Sequence, residues 1–308
     1  MKHSLTIVEK VNWRILGWTL LLLASAKIAA DPDAGKDGWG QDRSITKISD
    51  SVYRFGSDGQ YGAYIANEHG IALVDGHYCD SGTMAWLKAE IKKRHQQEVG
   101  YVILSHDHPD HICRTELFAD TAVVIGHRNL RPHILREKRE SAVPDIVFEE
   151  AMDVFLGDLK ISLIYLGPTH SDNLIQVHIP SEKVLIAIDF ARGKNLFPDY
   201  RDLDVHNALK ALKTLSRLED TEIVLGGHGP VKTADNFMIY HRYLKAQRDR
   251  VLNYMVEGKT LSEIKQLVRM QDFRDYPRVD EYLNSQIETM YNYLWRYREP
   301  NKPIVMFR

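Results

Sequence analysis

The run "YVILSHDHPDH" (Tyr101–His111) constrains this chain more than any other feature. Tyr101–Leu104 has the apolar, β-branched character of a strand buried on both faces. The six residues from His106 to His111 then hold three histidines and two aspartates. Burying unpaired polar or ionised groups is costly, so such a segment requires partners at the point where the strand ends. The fold must therefore bring strand ends to a common rim where these side chains meet something of opposite character.

The same arrangement recurs along the chain. Asp75 ends "IALVD", His170 lies in "LGPTHSDN", Asp189 ends "KVLIAID" and His228 ends "EIVLGGH". Around these points the chain alternates strand-like runs with amphipathic ones. "SVYRFG", "YGAYIAN" and "GIALVDG" read as a meander broken by Gly56, Gly59 and Gly62. Met84–His95 carries apolar residues at helical spacing with Ser81 placed to cap it, and Pro109 suits the first turn of a helix running on through "HICRTELF". A second round follows: "AVVIGH", a possible helix in "LRPHILREKRE", a hairpin in "MDVFLGDLKISLIYLG", the alternating "NLIQVHIP", "KVLIAID", a periodic helix from Val205 to Leu215, and "TEIVLGG". In "NLIQVHIP", Ile175, Val177 and Ile179 share one face and His178 falls on a polar face with Leu174 and Gln176. Two such rounds predict an α/β protein in which sheet packs on sheet with helices outside. From Ala234 onward the pattern is helical, over Phe237–Val256, Leu261–Met270 and about Asp280–Arg298, with Thr260 and Glu263 spaced as a capping box.

Imidazole nitrogens and carboxylate oxygens are the donors that zinc accepts, in sets of about four. His106 and His108, two apart on a turn, can reach one ion, which His170 would complete. Asp110 and His111, opening the next helix, can reach a second, which His228 would complete, and Asp189 has the two oxygens needed to bridge both. Two ions about 3.5–4 Å apart activate a water near neutral pH without any serine, cysteine or lysine nucleophile. A lone histidine at a strand end is more often structural. The full set on one rim would be strongly destabilised without a cation.

On these residues the chain resembles the metallo-β-lactamase superfamily. "HDHPDH" has the H-x-H-x-D-H spacing, followed in order by His170 in "PTHSDN", Asp189 in "AID" and His228 in "GGHG", over roughly residues 45–256. The resemblance implies an αββα sandwich and a hydrolase carrying two zinc ions, with iron or manganese as other metals such sites accept. It places His106, His108 and His170 at the first ion, Asp110, His111, Asp189 and His228 at the second, and Asp75 behind them, orienting a ligand histidine. Asp110 is the candidate catalytic group, orienting the nucleophile and passing a proton to the leaving group. Three departures bear on substrate. "ICRT" stands where many members have Gly-Gly, which puts Cys113 and Arg114 near the pocket floor. Asp189 stands where zinc β-lactamases usually have Cys or Ser, the pattern of the wider hydrolase group that includes lactonases and related esterases. "PTHSDN" nevertheless looks close to the zinc β-lactamase segment, and Arg192 falls at the offset of a carboxylate-binding lysine in a subclass of those enzymes. Arg192 and Lys194 are thus candidates to hold an anionic substrate group, and His77 to line the pocket; solvated loops are the alternative for all three. The expected activity is cleavage of an acyl bond in a lactam, lactone, ester or thioester, with β-lactamase proper as a narrower alternative. A mononuclear iron dioxygenase acting on a persulfide is the alternative of another class.

Outside this region the sequence speaks of address. Lys2, Lys10 and Arg14 precede the apolar Ile15–Ala26 and then small residues, the order of a secretory signal peptide, with cleavage after Ala26 or Ala30. Residues 1–30 are then a signal peptide, 31–43 a loose mature N-terminus, 44–256 the sandwich domain and 257–308 a helical extension packed on it. The mature protein would be periplasmic or secreted with no stable membrane span. Cys79 and Cys113 can pair in an oxidising compartment or stay apart, since a disulfide needs Cα atoms within about 7 Å. Forty basic against 42 acidic residues, with no basic block, argue for a small-molecule substrate and against nucleic acid. The tyrosine-rich tail reads as core packing by default, with a homodimer surface or a cleft wall as the sharper alternatives.

Overall fold

The structure, a computed structural model, describes residues 40–295; the signal peptide and most of the N-terminal segment expected from the sequence lie outside them. Two sheets stack face to face. The first has seven strands in sequential order: β1 (Ser44–Lys47), β2 (Val52–Ser57), β3 (Gln60–Asn67), β4 (Gly70–Val74), β5 (Tyr101–Leu104), β6 (Val123–His127) and β7 (Ile146–Phe148). It is antiparallel through β4 and parallel from β4 to β7. The second has five, in the order β12-β11-β10-β9-β8, from β8 (Ala151–Leu156), β9 (Leu159–Tyr165), β10 (Ile175–Ile179), β11 (Val184–Ile186) and β12 (Ile223–Leu225).

Strand alternation assigns the three cores. Ala72 and Val74, Ile103, and Ile125 point inward to meet Leu163, Val177, Ile186 and Leu225 of the other sheet. Their neighbours Leu73, Val102, Leu104 and Val124 point outward, beneath α1 (Thr83–His95) and α3 (Leu130–Glu137). On the far side Leu185, Ala187 and Val224 pack under α4 (Val205–Leu215) and α5 (Asp235–Val256). Each fully buried Val, Leu or Ile among these contributes about 1.5–3 kcal/mol of hydrophobic stabilisation. The arrangement is an αββα sandwich, as the sequence implies. The outer core runs unbroken from α4 into α6 (Leu261–Leu267) and α7 (Val279–Trp295), through Val251, Ile264, Ile287 and Met290. Among the tail's aromatics, Tyr240 and Tyr243 are fully buried in it.

Several local expectations need correction. The helix after Pro109 is only one turn, α2 (Pro109–Ile112), because Cys113 is extended (φ −59°, ψ 145°); Arg114 then takes a left-handed conformation (φ 64°) and the chain resumes as a 3-10 turn at Thr115–Phe118. The N-cap residue of α1 is Gly82, in a left-handed turn, and Ser81 before it accepts from the Thr83 amide (3.3 Å) that opens the helix while also bonding His77. β10 is buried on both faces, so His178 is not on a polar surface; its Nε2 bonds the Asp220 carbonyl. The capping box of Thr260 and Glu263 does form, opening α6.

Candidate metal centre

β9 and β11 run the same way because each is antiparallel to β10, and β12 is parallel to β11. The C-terminal ends of β9, β11 and β12 therefore share one rim of the second sheet, and those of β4 and β5 share a rim of the first. His170, Asp189 and His228 leave the former; Asp75 and Ser105–His111 leave the latter. Asp75 and Asp189 both take left-handed backbone turns (φ 63° and 52°), a conformation aspartate tolerates better than most residues.

The seven residues singled out as ligands fall into two groups: His106, His108, His170 and Asp189, then Asp110, His111, Asp189 and His228. Within each, the donor atoms all lie within 4.8 Å of one another. Asp189 belongs to both. Its Oδ2 lies 3.4 Å from His170 Nε2 and 3.1 Å from His111 Nε2, while its Oδ1 lies 3.4 Å from His228 Nε2. His108 Nδ1 and His170 Nε2 are 3.1 Å apart, and Asp110 Oδ2 sits 3.3 Å from His111 Nε2 and 3.5 Å from His228 Nε2. His106 and His111 are sealed, whereas the Asp110 and His228 side chains are 29% and 31% exposed, so the second group is open to solvent.

The chain's own residues leave this donor set short of a cation. His106 Nε2 is buried without a hydrogen-bond partner, and the Asp189 carboxylate is 3.9 Å from it, beyond bonding distance. Its other nitrogen is engaged, since Ser105 Oγ lies 2.9 Å from His106 Nδ1 and itself donates to Asp75 Oδ2. Asp75 thus fixes the His106 ring through Ser105. Burial and the neighbouring imidazoles push His106 well below the ordinary histidine range and lower His108 too. Burial also opposes charge on His111, but Asp189, Asp110 and Asp75 outweigh it and raise its pKa to about 9. Burial would raise Asp110, yet His228 and His111 hold it at about 2. The neutral imidazoles of His106 and His108 and the ionised carboxylate of Asp110 are the forms a divalent ion requires, whereas His111 would have to give up its proton to bind one.

Residues that the motifs did not single out support the ligands. Asn173 accepts from the Asp107 amide (3.0 Å) and donates to the Asp107 carboxylate (2.8 Å), tying the His106–His108 loop to the His170 loop. Asp107 is therefore a brace. Gln60, fully buried, donates to the Asp110 carbonyl (2.7 Å) and packs behind His111. Lys232 donates to the His228 and Pro230 carbonyls (2.9 and 3.2 Å); burial, then Arg192 and Arg54, lower its pKa to about 8. Asn173 is within reach of the "THSDN" motif, but Gln60 and Lys232 carry no local signal.

The candidate substrate contacts are distributed otherwise than the sequence suggests. Arg192 turns onto the centre itself, donating to Asp189 Oδ1 (3.1 Å) with its guanidinium 4.1 Å from the Phe197 ring centre. Lys194 pairs with Asp275 and is not in the cluster. His77 is wholly buried, held by Ser57, Gln60 and Ser81, and burial lowers its pKa to about 4. It lines no open pocket. Cys113 and Arg114 do not form a pocket floor: Cys113 is disulfide-bonded to Cys79, and Arg114 Nε donates to the Cys79 carbonyl (3.0 Å). Gly76 allows the loops so stapled to touch, since a Cβ there would lie 2.3 Å from the Cys113 carbonyl oxygen. A cavity of about 160 Å3 opens beside His170, lined by Phe197, Pro198, Asp199, Asp202 and Leu203.

Comparison with known proteins agrees with this geometry. Residues 59–228 match the family described as "Metallo-beta-lactamase superfamily". The chain is 24% identical over 181 residues to the 2,4-dinitroanisole O-demethylase subunit beta of Nocardioides sp. (strain JS1661), a match over 58% of this chain and 57% of that relative, so it spans little more than half of that protein. It is 25% identical over 201 residues to a metallo-beta-lactamase type 2 of Bacteroides fragilis, covering 61% of this chain and 80% of the relative. A metallo-beta-lactamase from Pontibacter korlensis superposes with a TM-score of 0.59 at 18% identity, over 66% of this chain and 99% of that one. FIM-1 of Pseudomonas aeruginosa, in a mono-zinc form, gives 0.58 at 16% identity, over 66% and 95%.

Proposed function

We propose that this chain, which belongs to the metallo-beta-lactamase superfamily and is a metal-dependent hydrolase of it, is an exported enzyme that cleaves an acyl bond in a lactam, lactone, ester or thioester with two zinc ions. The observation that carries the reading is the pair of donor groups joined at Asp189, with His106 Nε2 buried and unpartnered inside the first. His106, His108 and His170 would hold one ion, and Asp110, His111 and His228 the other, with Asp189 serving both. When bound, the ions supply a hydroxide near neutral pH and polarise the acyl oxygen. The chain's residues do the rest. Asp75, through Ser105, keeps His106 in one ring orientation, and Gln60 backs His111. Asp110, partly exposed and held as a carboxylate, stands where the site opens and can accept a proton and return it to the leaving group. The Cys79–Cys113 disulfide supports an oxidising compartment and hence export.

A narrower reading, β-lactamase activity, is favoured by the relatives that bear that name. Against it stands Arg192, whose guanidinium is engaged by Asp189 and Phe197. The deciding experiment is a panel of esters, thioesters, lactones and β-lactams assayed on mature protein, with metal analysis of the same sample. Two equivalents of zinc and turnover of one class support the proposal. One equivalent of iron with oxygen consumption would replace it by the dioxygenase reading, and a dizinc protein inert towards the whole panel would overturn the acyl-hydrolase reading.

A further inference from the structure

The family match ends at His228, before α5–α7 begin. Those helices nevertheless reach the metal centre through the connection between β11 and α4. Among the described residues, five hydrogen bonds join α7 to that connection and to the start of α4. Gln286 Nε2 donates to the Phe197 carbonyl (2.5 Å), Ser285 Oγ to the Pro198 carbonyl (2.5 Å), and the Tyr200 amide to Thr289 Oγ1 (2.9 Å). Tyr293 OH donates to Asp204 Oδ1 (2.8 Å) and accepts from the His206 amide (3.1 Å). Gln286 is fully buried, and its carbonyl oxygen accepts from Tyr243 (2.6 Å) and Gln247 (3.0 Å), so its amide can turn neither way without losing partners.

The residue this clamp holds touches His170 directly and Asp189 through Arg192. The Phe197 ring stacks on His170 with centroids 4.7 Å apart and planes within 7°. The same ring lies under Arg192, which bonds Asp189, and meets Tyr240 of α5 edge-on at 6.0 Å. A parallel aromatic contact of this kind restricts the ring orientation of a histidine on the side where it stacks. Phe197 also walls the cavity beside His170.

From this chain of contacts we infer that α7 is part of the metal site's scaffold, and that Gln286 is a positioning residue that sets His170 and Asp189 through Phe197. The inference rests on the metal-centre reading. Its consequence is that the ion held by His106, His108 and His170 depends on a residue of the C-terminal helix. Groups that orient metal ligands change affinity about 10–100-fold when removed. Because Phe197 also bounds the cavity, its loss changes KM as well as kcat, whereas a purely destabilising change would lower the active fraction and leave KM alone.

Three variants of the full chain test this. Gln286→Glu keeps the oxygen that serves Tyr243 and Gln247 and replaces the donor to Phe197 with a carboxylate oxygen that repels that carbonyl. Phe197→Leu removes the stacked ring and keeps an apolar side chain. Lys265→Ala breaks the exposed Lys265–Glu288 pair between α6 and α7 and is the control. Each is loaded with cobalt(II), its visible spectrum recorded, and zinc affinity measured by competition with a chromophoric chelator, with circular dichroism as the check on folding. The expected result is a spectrum and affinity unchanged in Lys265→Ala, and in the other two a shifted spectrum with affinity for one of the two ions weakened about 10-fold or more. Folded Gln286→Glu and Phe197→Leu proteins with the parent's spectrum and affinities within twofold would overturn the inference. If Gln286→Glu does not fold, Ser285→Ala, which removes α7's donor to the Pro198 carbonyl, takes its place beside Phe197→Leu, with the same two outcomes. A parent protein that binds neither cobalt nor zinc would instead overturn the metal-centre reading.

Discussion

The Cys79–Cys113 disulfide closes a loop across a sequence separation of 34 and staples the segment after β4 to the residue two beyond His111. In the chain-entropy account, closing a loop of that length removes about 12–13 cal/mol/K from the unfolded ensemble, or about 4 kcal/mol at 25 °C. The native state has independent means of keeping the two segments together. The Gly76 amide bonds the His111 carbonyl (2.5 Å), the His77 amide bonds the Cys113 carbonyl (3.3 Å), and Arg114 bonds the Cys79 carbonyl (3.0 Å). Reduction should therefore act on the unfolded chain and leave the folded site assembled. The assay is urea unfolding of oxidised and reduced protein, both with EDTA because thiol reductants bind zinc. Free energies extrapolated to water are compared, since cross-linking also changes the slope. Reduction should lower stability by about 4 kcal/mol, or about 8–15 °C in melting temperature at this chain length. Metal stoichiometry of a Cys79→Ala/Cys113→Ala protein should equal the parent's. A loss below about 1 kcal/mol would refute the loop-entropy argument. Two titratable thiols in the untreated native protein would refute the pairing itself.

Zinc at a hundredfold excess over its dissociation constant should stabilise the apoprotein by about 2.7 kcal/mol per independent site, visible as a rise in melting temperature that EDTA reverses; an unmoved transition would argue against a metal centre. Burial depresses His77 to about 4 from 6.5, so its contribution to stability is complete above pH 6.5 and is lost as pH falls towards 4. The loss is at most about 3 kcal/mol, and His77→Gln should flatten the metal-free protein's stability profile in that window; an unchanged profile would contradict the assignment. Gly227→Ala would place a Cβ 2.5 Å from His111 Cε1 and 3.0 Å from Ile188, so it should weaken metal binding at the second group, measured as zinc equivalents after dialysis. Asp110→Asn should lower kcat by about 10²–10⁴ on whichever panel substrate is turned over, and parental kcat would remove Asp110 from the proton-transfer role.

Much of this protein is legible in its sequence because period-2 alternation is a local property. Ala72 and Val74 against Leu73, or Ile103 against Val102 and Leu104, announce which side faces the other sheet before any contact is known. The strongly periodic α4 and the capping box of α6 are legible for the same reason. His178 departs from its expected polar face because alternation distinguishes one face from the other but does not say that both are covered. α2 ends early because Cys113 turns extended and Arg114 left-handed, conformations that their residue types do not announce.

Sequence alone determined which residues are candidate donors, because histidines and aspartates that follow apolar runs emerge near strand ends. Tertiary structure alone decided how the rim that gathers them is completed. Arg192 binds Asp189 instead of facing a ligand, Phe197 lies on His170, and Gln286, 89 residues from Phe197, holds it there. Cys79 meets Cys113 because the parallel pairing of β4 and β5 brings the segments that follow them together. Periodicity tells a residue which face it occupies. Which residue it meets across that face is set by the packing of segments far apart in the chain, and that information is absent from any local window of sequence.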